Sequence, residues 1–276
     1  MPEGHTLHRL ARELDARFAG DVVTASSPQG RFAEGAALLD GSTFDSAEAY
    51  GKHLFGHFGG RILHVHLGLY GTFLTTQAPP PPPRGAVRLR LTSQRSSADL
   101  RGPTACEVIT EEQRLALLSR LGPDPLRDDA DAGRAWAAVH RSRRSLASLL
   151  MDQSVLAGIG NVYRAEVLYR QRLDPAAPGS GLSRGVWDDL WTDLVDLMHR
   201  GVEEGHIETL RPEHEPLAPV GAPRRYVYRR HGEPCLVCGT RVRTSEVEGR
   251  NLYWCSGCQR RAGRRRMATA SDASVA

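Results

Sequence analysis

Four cysteines near the C-terminus constrain this chain more than any other feature: Cys235-Leu-Val-Cys238 and, sixteen residues later, Cys255-Ser-Gly-Cys258. Each C-x-x-C puts two thiolates on one tight turn, and two such turns at this separation close a tetrahedral cage for one structural Zn2+. The residues between them suffice for two short strands and a hairpin. The same stretch is dense in arginine, with twelve Arg against three acids (Glu233, Glu246 and Glu248) from Arg224 to Arg266. A small, metal-stapled, arginine-rich hairpin points to a clamp for nucleic acid. For Arg260 to Arg266, a solvated basic tail is the competing reading.

A chain of 276 residues is long enough for two domains and a small module. With 40% hydrophobic and 25% charged residues, its composition is that of an ordinary globular protein. No apolar run is long enough to cross a bilayer. Met1-Pro-Glu-Gly-His lacks the charged and apolar regions of a signal peptide. The expected setting is therefore cytoplasmic and reducing, which favours metal over disulfides at the cysteine quartet. The fifth cysteine, Cys106, lies in a strand-like stretch and reads as a small buried hydrophobe.

Net charge is only +4, although the arginine-rich stretch alone carries a surplus of nine, so the rest is mildly acidic. Such a localised patch suits phosphate binding. Among 36 basic residues Lys52 is the single lysine. Arginine cannot replace lysine where a compact point charge or a titratable amine is needed, which marks Lys52 as a functional candidate.

Periodicity predicts an amphipathic helix over 3–18, with Leu7, Leu10, Ala11, Leu14 and Phe18 on one face. Strand-like segments follow at Val22 to Ser26, Thr43 to Tyr50, His53 to Phe58, Ile62 to Leu67 and Val87 to Leu91. His64 and His66 share a strand face and read as structural. Pro79 to Pro83 reads as an exposed extended loop, and Leu121-Gly-Pro-Asp-Pro-Leu126 as a linker. Beyond it the pattern turns helical: Ala130 to Arg143, Ser145 to Met151, Val162 to Tyr169, and Ser183 to Glu204 with Trp187, Leu190, Trp191, Leu194 and Leu197 on its apolar face. The predicted class is α+β in two domains: a β-rich unit over 1–122, helices over 130–215, a metal hairpin over 225–260 and a disordered basic tail over 261–276.

Two segments could carry chemistry. Removal of Met1, expected before a small residue, leaves Pro2 with a free secondary amine. An α-amino group titrates near ~8, and an amine can form a Schiff base with a sugar aldehyde. Glu3 beside it could serve as general acid and base. Read alone, Pro-Glu is also an ordinary helix start. The second segment is Met151-Asp-Gln-Ser-Val-Leu-Ala-Gly-Ile-Gly-Asn161-Val-Tyr. Here Gly158 and Gly160 would let the backbone pass close to a phosphate at a helix N-terminus, with Asn161 adding a donor. An Asn cap on a helical hairpin is the alternative.

Taken together and in this order, Pro-Glu-Gly, Gly51-Lys52-His53-Leu54-Phe55, the Leu-Gly-Pro-Asp-Pro-Leu stretch, Met-Asp-Gln followed by Ala-Gly-Ile-Gly-Asn-Val-Tyr, and the four-cysteine finger resemble the formamidopyrimidine-DNA glycosylase/endonuclease VIII family from Pro2 to about Gln259. The resemblance implies an N-terminal β-sandwich flanked by helices, a helix–two-turn–helix domain and a zinc-finger hairpin. It implies a monomer acting on double-stranded DNA that contains damaged bases or abasic sites. Carried over by motif, Pro2 is the nucleophile at the deoxyribose C1′, and Glu3 the proton donor and acceptor. Lys52, Asn161 and Arg250 are phosphate ligands, Lys52 also stabilising charge during catalysis.

His66-Leu-Gly-Leu69-Tyr70-Gly71 resembles the endonuclease VIII branch, in which Leu69 and Tyr70 would wedge into the vacated base stack. The Arg-Phe pair of the formamidopyrimidine branch is absent at Asp99-Leu-Arg101-Gly-Pro103. Oxidised pyrimidines are therefore the expected substrates. An 8-oxoguanine enzyme and a non-catalytic zinc-ribbon DNA-binding protein are the alternatives. Thr6, Gly68 and Ser154 depart from the acid, glutamine and lysine that various relatives carry at these places.

Overall fold

The structure is a computed structural model and describes residues 2–259. Helix α1 (Gly4–Phe18) buries Leu7, Leu10, Leu14 and Phe18, as its period demands. These side chains enter one core with residues of two antiparallel sheets. The strands are β1 (Val22–Ser26), β2 (Ser42–Thr43), β3 (Ser46–Tyr50), β4 (His53–Phe58), β5 (Arg61–His66), β6 (Thr72–Gln77), β7 (Val87–Thr92), β8 (Ser96–Arg101) and β9 (Ala105–Ile109). One sheet has the order β2-β1-β7-β8-β6 and the other β3-β4-β5-β9. A short helix, α2 (Ala33–Leu39), packs on β1, and α3 (Glu111–Leu118) follows β9.

Several elements depart from the sequence pattern for identifiable reasons. The stretch Thr43 to Tyr50 is not one strand: β2 belongs to one sheet and β3 to the other. The chain crosses between them at fully buried Phe44, which packs edge-on against Phe58 at 5.1 Å. Strand β8, Ser-Ser-Ala-Asp-Leu-Arg, shows no alternation because nearly every residue in it is buried. Helix α3 has no fully buried residue, though Leu117 and Leu118 pack against Phe55, Ile62 and Ile109, and a capping box between Thr110 and Gln113 starts it. Pro79 to Pro83 lies outside all strands, as expected.

Leu121 to Leu126 is not a free linker: all six residues are buried. Gly122 lies so close to Val155 that a Cβ there would stand 2.4 Å from its carbonyl carbon. The fully buried Asp124 carboxylate receives Gly51 N–H at 2.7 Å and Leu126 N–H at 3.0 Å, and lies 2.7 Å from His8 Nε2. The segment is a buried plug whose one carboxylate ties α1, the Gly51-Lys52 turn and the helical half together.

That half contains α4 (Ala132–His140), α5 (Leu146–Leu149), α6 (Asn161–Arg170) and α7 (Arg184–Glu204). Asp131, Ser145 and Ser183 cap three of the helices from side-chain oxygens. Gly205, left-handed at φ 78°, ends α7. The hairpin β10 (Arg243–Val247) and β11 (Arg250–Trp254) follows. Its Val242, Leu252, Cys235 and Cys255 sit in the same apolar core as the helices, so the finger is a lobe of the helical domain and has no core of its own. The tail over 261–276 lies outside the described residues. Among the described residues, no helix is long and apolar enough to cross a membrane.

Glu166 on α6 fastens the segment that leads into the finger. Its fully buried carboxylate accepts N–H groups from Tyr226 (2.8 Å), Val227 (2.9 Å) and Tyr228 (2.7 Å), and the Thr209 hydroxyl at 2.5 Å. Glu166→Gln would turn amide hydrogens toward backbone donors inside an apolar core. A loss of about 3–5 kcal/mol is expected, read as a fall in the denaturant midpoint without a change of slope.

Candidate active site at the N-terminal proline

Two helix N-termini converge on Pro2 and Glu3. The backbone of Glu3 is the N-cap of α1, and its side chain reaches the start of α6. There the carboxylate accepts N–H groups from Gly160 (3.0 Å), Val162 (2.8 Å) and Tyr163 (3.4 Å). Helix α6 has no side-chain cap of its own, since its N-cap is Gly160. Glu3 therefore supplies in trans the acceptor expected from Asn161, which is instead the first helical residue. The glycines serve this approach. A Cβ on Gly160 would stand 2.4 Å from Glu3 Cδ, and Gly158, at φ +86°, donates the carbonyl that receives Gly4 N–H at 2.8 Å. Glu3 is fully buried, and burial holds its pKa above the ordinary carboxylate range, against the pull of Lys52 and the three N–H groups.

Lys52 lies at the β3–β4 turn, whose Gly51 N–H is pinned by Asp124. Its Nζ donates to the Ile159 carbonyl at 2.6 Å. Burial lowers the ammonium pKa to about 8; Glu3 opposes the shift, while Arg250 and Arg164 add to it. Gln153 steadies the Gly158-Ile159 segment that Lys52 meets, donating to the Ile159 carbonyl at 3.0 Å and accepting Gly158 N–H at 3.1 Å.

Asn161 donates its amide N–H to the Asn251 carbonyl of β11 at 2.8 Å, while Arg164 donates to its amide oxygen. Arg164 is wholly buried, and burial lowers its pKa to about 10. Arg250, next to Asn251, opens β11. Pro2, Glu3, Lys52, Asn161 and Arg250 all line one cleft of about 460 Å³. Leu69, 43% exposed, lies at its edge, and Tyr70, 88% exposed, projects from the same β5–β6 turn. Pro2 and Leu69 also border a second cleft of about 700 Å³, walled by His5, Thr6, Ile207 and Tyr228.

The four finger thiols fit a metal. Each Sγ lies within 4.8 Å of the others, and the Cys238–Cys255 and Cys235–Cys258 pairs are 3.4 and 3.8 Å apart. Zn–S bonds of ~2.3 Å imply tetrahedral edges near ~3.8 Å. Tyr169 Oη, 3.0 Å from Cys235 Sγ, ties the cage to α6. Burial raises the Cys106 thiol to about 12, so it is no thiolate nucleophile.

Asp124, Gln153 and Arg164 escaped the sequence reading. Asp124 had a usable signal, an acid between two prolines in a stretch otherwise apolar. Arg164 had none, since a basic residue on a helix reads as solvated.

Three family models match successive stretches of the chain. They are the formamidopyrimidine-DNA glycosylase N-terminal domain over residues 1–106, its helix–two-turn–helix domain over 121–211, and a zinc finger found in these glycosylases and in isoleucyl-tRNA synthetase over 232–261. Endonuclease 8 1 of Mycobacterium tuberculosis is 52% identical over 267 residues, covering 94% of this chain and all of that one. A formamidopyrimidine-DNA glycosylase of Geotalea uraniireducens is 30% identical, covering 81% and 84%. In fold, the chain matches Lactococcus lactis formamidopyrimidine-DNA glycosylase, solved with abasic-site DNA, at a TM-score of 0.78 and 21% identity over 94% of this chain and all of that one. The likeness holds over sheets, helices and finger alike, and the chain belongs to the formamidopyrimidine-DNA glycosylase/endonuclease VIII family of DNA glycosylases with abasic-site lyase activity.

Proposed function

We propose that this protein removes oxidised bases, pyrimidines above all, from duplex DNA in base excision repair, and then cuts the strand through a Schiff base on Pro2. One observation carries the reading. Pro2, Glu3, Lys52, Asn161 and Arg250 come from four separate parts of the chain and line a single cleft at two helix N-termini. Helix N-termini, an ammonium and a guanidinium together suit a kinked phosphate backbone. In this reading 1–122 is the catalytic domain, 130–215 and 225–260 grip the DNA, and the enzyme works in the cytoplasm on the nucleoid.

The target nucleotide must leave the stack, at a cost of a few kcal/mol that is smallest for a poorly paired lesion. Exposed Leu69 and Tyr70 would fill the gap it leaves, and the second cleft beside Pro2 would receive the base. The Pro2 nitrogen lone pair bonds to C1′ as the C1′–base bond breaks. Glu3, which burial keeps protonated to higher pH, gives its proton to the ring oxygen as the sugar opens to an iminium. The iminium acidifies the C2′ hydrogen. Loss of that proton expels the 3′ phosphate, and a further elimination expels the 5′ phosphate. Lys52, Asn161 and Arg250 hold the phosphates in line. The preference for pyrimidines is supported by the Leu69-Tyr70 pair and by the 52% identical relative named Endonuclease 8 1.

Borohydride trapping on abasic-site duplex tests the chemistry. The wild-type protein should form a covalent adduct. Pro2→Leu retains Met1, moves the amine off the cleft and should abolish the adduct while DNA affinity persists. Glu3→Gln should slow base release by about 100-fold or more. Without an adduct from the wild-type protein the catalytic reading fails. Parallel single-turnover assays should favour thymine glycol over 8-oxoguanine paired with cytosine, and the reverse order would refute the pyrimidine assignment.

A pH profile tests Lys52. Its lowered pKa keeps it cationic below pH about 8 and neutral above. Activity and DNA affinity should therefore fall together as pH rises through about 8. In Lys52→Gln affinity should be lower at neutral pH and the fall near 8 should be absent, because no titrating cation remains at that position. An unchanged profile would assign that limb to another group, such as the Pro2 amine.

A further inference from the structure

Three histidines on one face of the four-stranded sheet take no part in the chemistry above. His53 stands directly opposite His66 across β4 and β5, and His64 directly opposite Glu107 across β5 and β9. Glu107 Oε1 is 2.8 Å from His64 Nδ1, and His64 Nε2 is 2.9 Å from His53 Nδ1. The His53 and His66 ring centres are 5.1 Å apart. His66 lines the cleft of Pro2, Glu3 and Lys52. At the far end the Glu107 side chain is 55% exposed, whereas that of His64 between them is 4% exposed.

The hydrogen bonds fix the tautomers. An ionised carboxylate only accepts, so His64 carries its proton on Nδ1 and leaves Nε2 as an acceptor. His53 must then donate from Nδ1, which leaves a lone pair on its Nε2. At the cleft, Gly68 N–H donates to His66 Nδ1 at 3.1 Å, so neutral His66 carries its proton on Nε2. The donors of His53 and His64 are thus both oriented toward Glu107, and His66 stands beside His53 with its ring centre 5.1 Å away.

We propose that His53 and His64 form a proton relay joining the catalytic cleft, through His66, to solvent at Glu107, and that it exchanges the protons of elimination while DNA covers the cleft. The inference rests on the lyase reading given above. In one passage His66, by a small turn of its ring toward its neighbour, gives its Nε2 proton to His53 Nε2 and regains one from the cleft on the same nitrogen, since Gly68 N–H occupies its Nδ1. His53 passes its Nδ1 proton to His64 Nε2, and His64 passes its Nδ1 proton to Glu107, which releases it to water. One proton leaves the cleft, no heavy-atom bond changes and no electron is transferred. His53 and His64 then hold their protons on the opposite nitrogens, a chain set to carry the next proton inward, as the following sugar opening requires.

The surroundings favour transit over storage. Burial pushes His53 down to about 3, and His64, His66, Lys52 and Arg120 all oppose a resident charge there. From the α3 side, Arg114 lies over Phe55, which stacks on His64. A proton is thereby kept from settling on His53.

The test uses three variants and abasic-site duplex in single turnover, in H2O and in D2O. Glu107→Gln preserves the hydrogen bond from His64 and removes the proton acceptor at an exposed position. His64→Ala opens an imidazole-sized gap, and His53→Gln breaks the middle link. Elimination should slow by about tenfold in each, less than the ~100-fold of losing a direct acid or base, with a larger solvent isotope effect and unchanged affinity for duplex bearing a reduced abasic site. Imidazole in the buffer should restore part of the rate in His64→Ala, which a loss of mere packing would not allow. Wild-type rates and isotope effects in Glu107→Gln and His64→Ala would overturn the relay, as would a loss in His64→Ala that imidazole leaves untouched. If the wild-type protein itself gives no adduct and no cleavage, the function proposed above fails first, a result distinct from active wild type with unaffected variants.

Discussion

The carboxylate of Glu3, seated on the N-terminus of a helix more than 150 residues away, is the interaction on which the rest of the site depends. It joins the β-sandwich to the helical domain at the point where Pro2 stands. Charge-assisted hydrogen bonds from three N–H groups and the positive end of α6 favour the ionised form. Full burial opposes it more strongly, and the pKa is raised. The sign follows from linkage. A carboxylate with a folded pKa above its unfolded one contributes stability at pH below the unfolded value, and loses it as pH rises through the folded value. At neutral pH this buried acid works against the fold. A purely structural cap would be better placed in water, and a buried acid with a raised pKa is a common mark of a functional site.

Such a burden requires rigid support on both sides. On the sandwich side, Asp124 fixes His8 on α1 and the turn that carries Lys52, so the first helix and the lysine are referred to one carboxylate. On the helical side, Glu166 and the thiol cage hold the hairpin against α6. The Asn251 carbonyl then meets Asn161, and Arg250 faces the cleft. The metal acts at a distance, through the position of one strand. Glycine makes the junction possible, since any side chain at residue 160 would displace Glu3.

How much of this could be read from the chain follows from the range of each interaction. The face of α1, the helical switch after residue 126 and the spacing of the finger cysteines are local patterns, and they were legible. Asp124 looked like part of a linker because its partners, His8 and Gly51, lie 116 and 73 residues away. Strand β8 carried no alternation because both its faces are covered. Asn161 looked like a cap because the true cap, Glu3, comes from the other domain. His64 and His66 were correctly set on one face, but the partners that give them a direction, His53 and Glu107, appear only when three strands are in register.

The single lysine has a geometric reason as well as a compositional one. Lys52 Nζ reaches one carbonyl, that of Ile159, at the wall of the cleft, where the charges of Arg250 and Arg164 already bear on it. An ammonium needs few partners and can turn its remaining hydrogens toward a phosphate. A guanidinium presents five donors in a fixed fork. Arg164 illustrates that demand nearby: wholly buried, it reaches the Ala147 and Asn251 carbonyls and the Asn161 amide, and its Nε still has no partner. A second buried fork at residue 52 would leave more donors stranded, each costing ~1–3 kcal/mol. In a chain that uses arginine almost everywhere, lysine persists at the one cationic position where the site has room for a point charge and none for a plane.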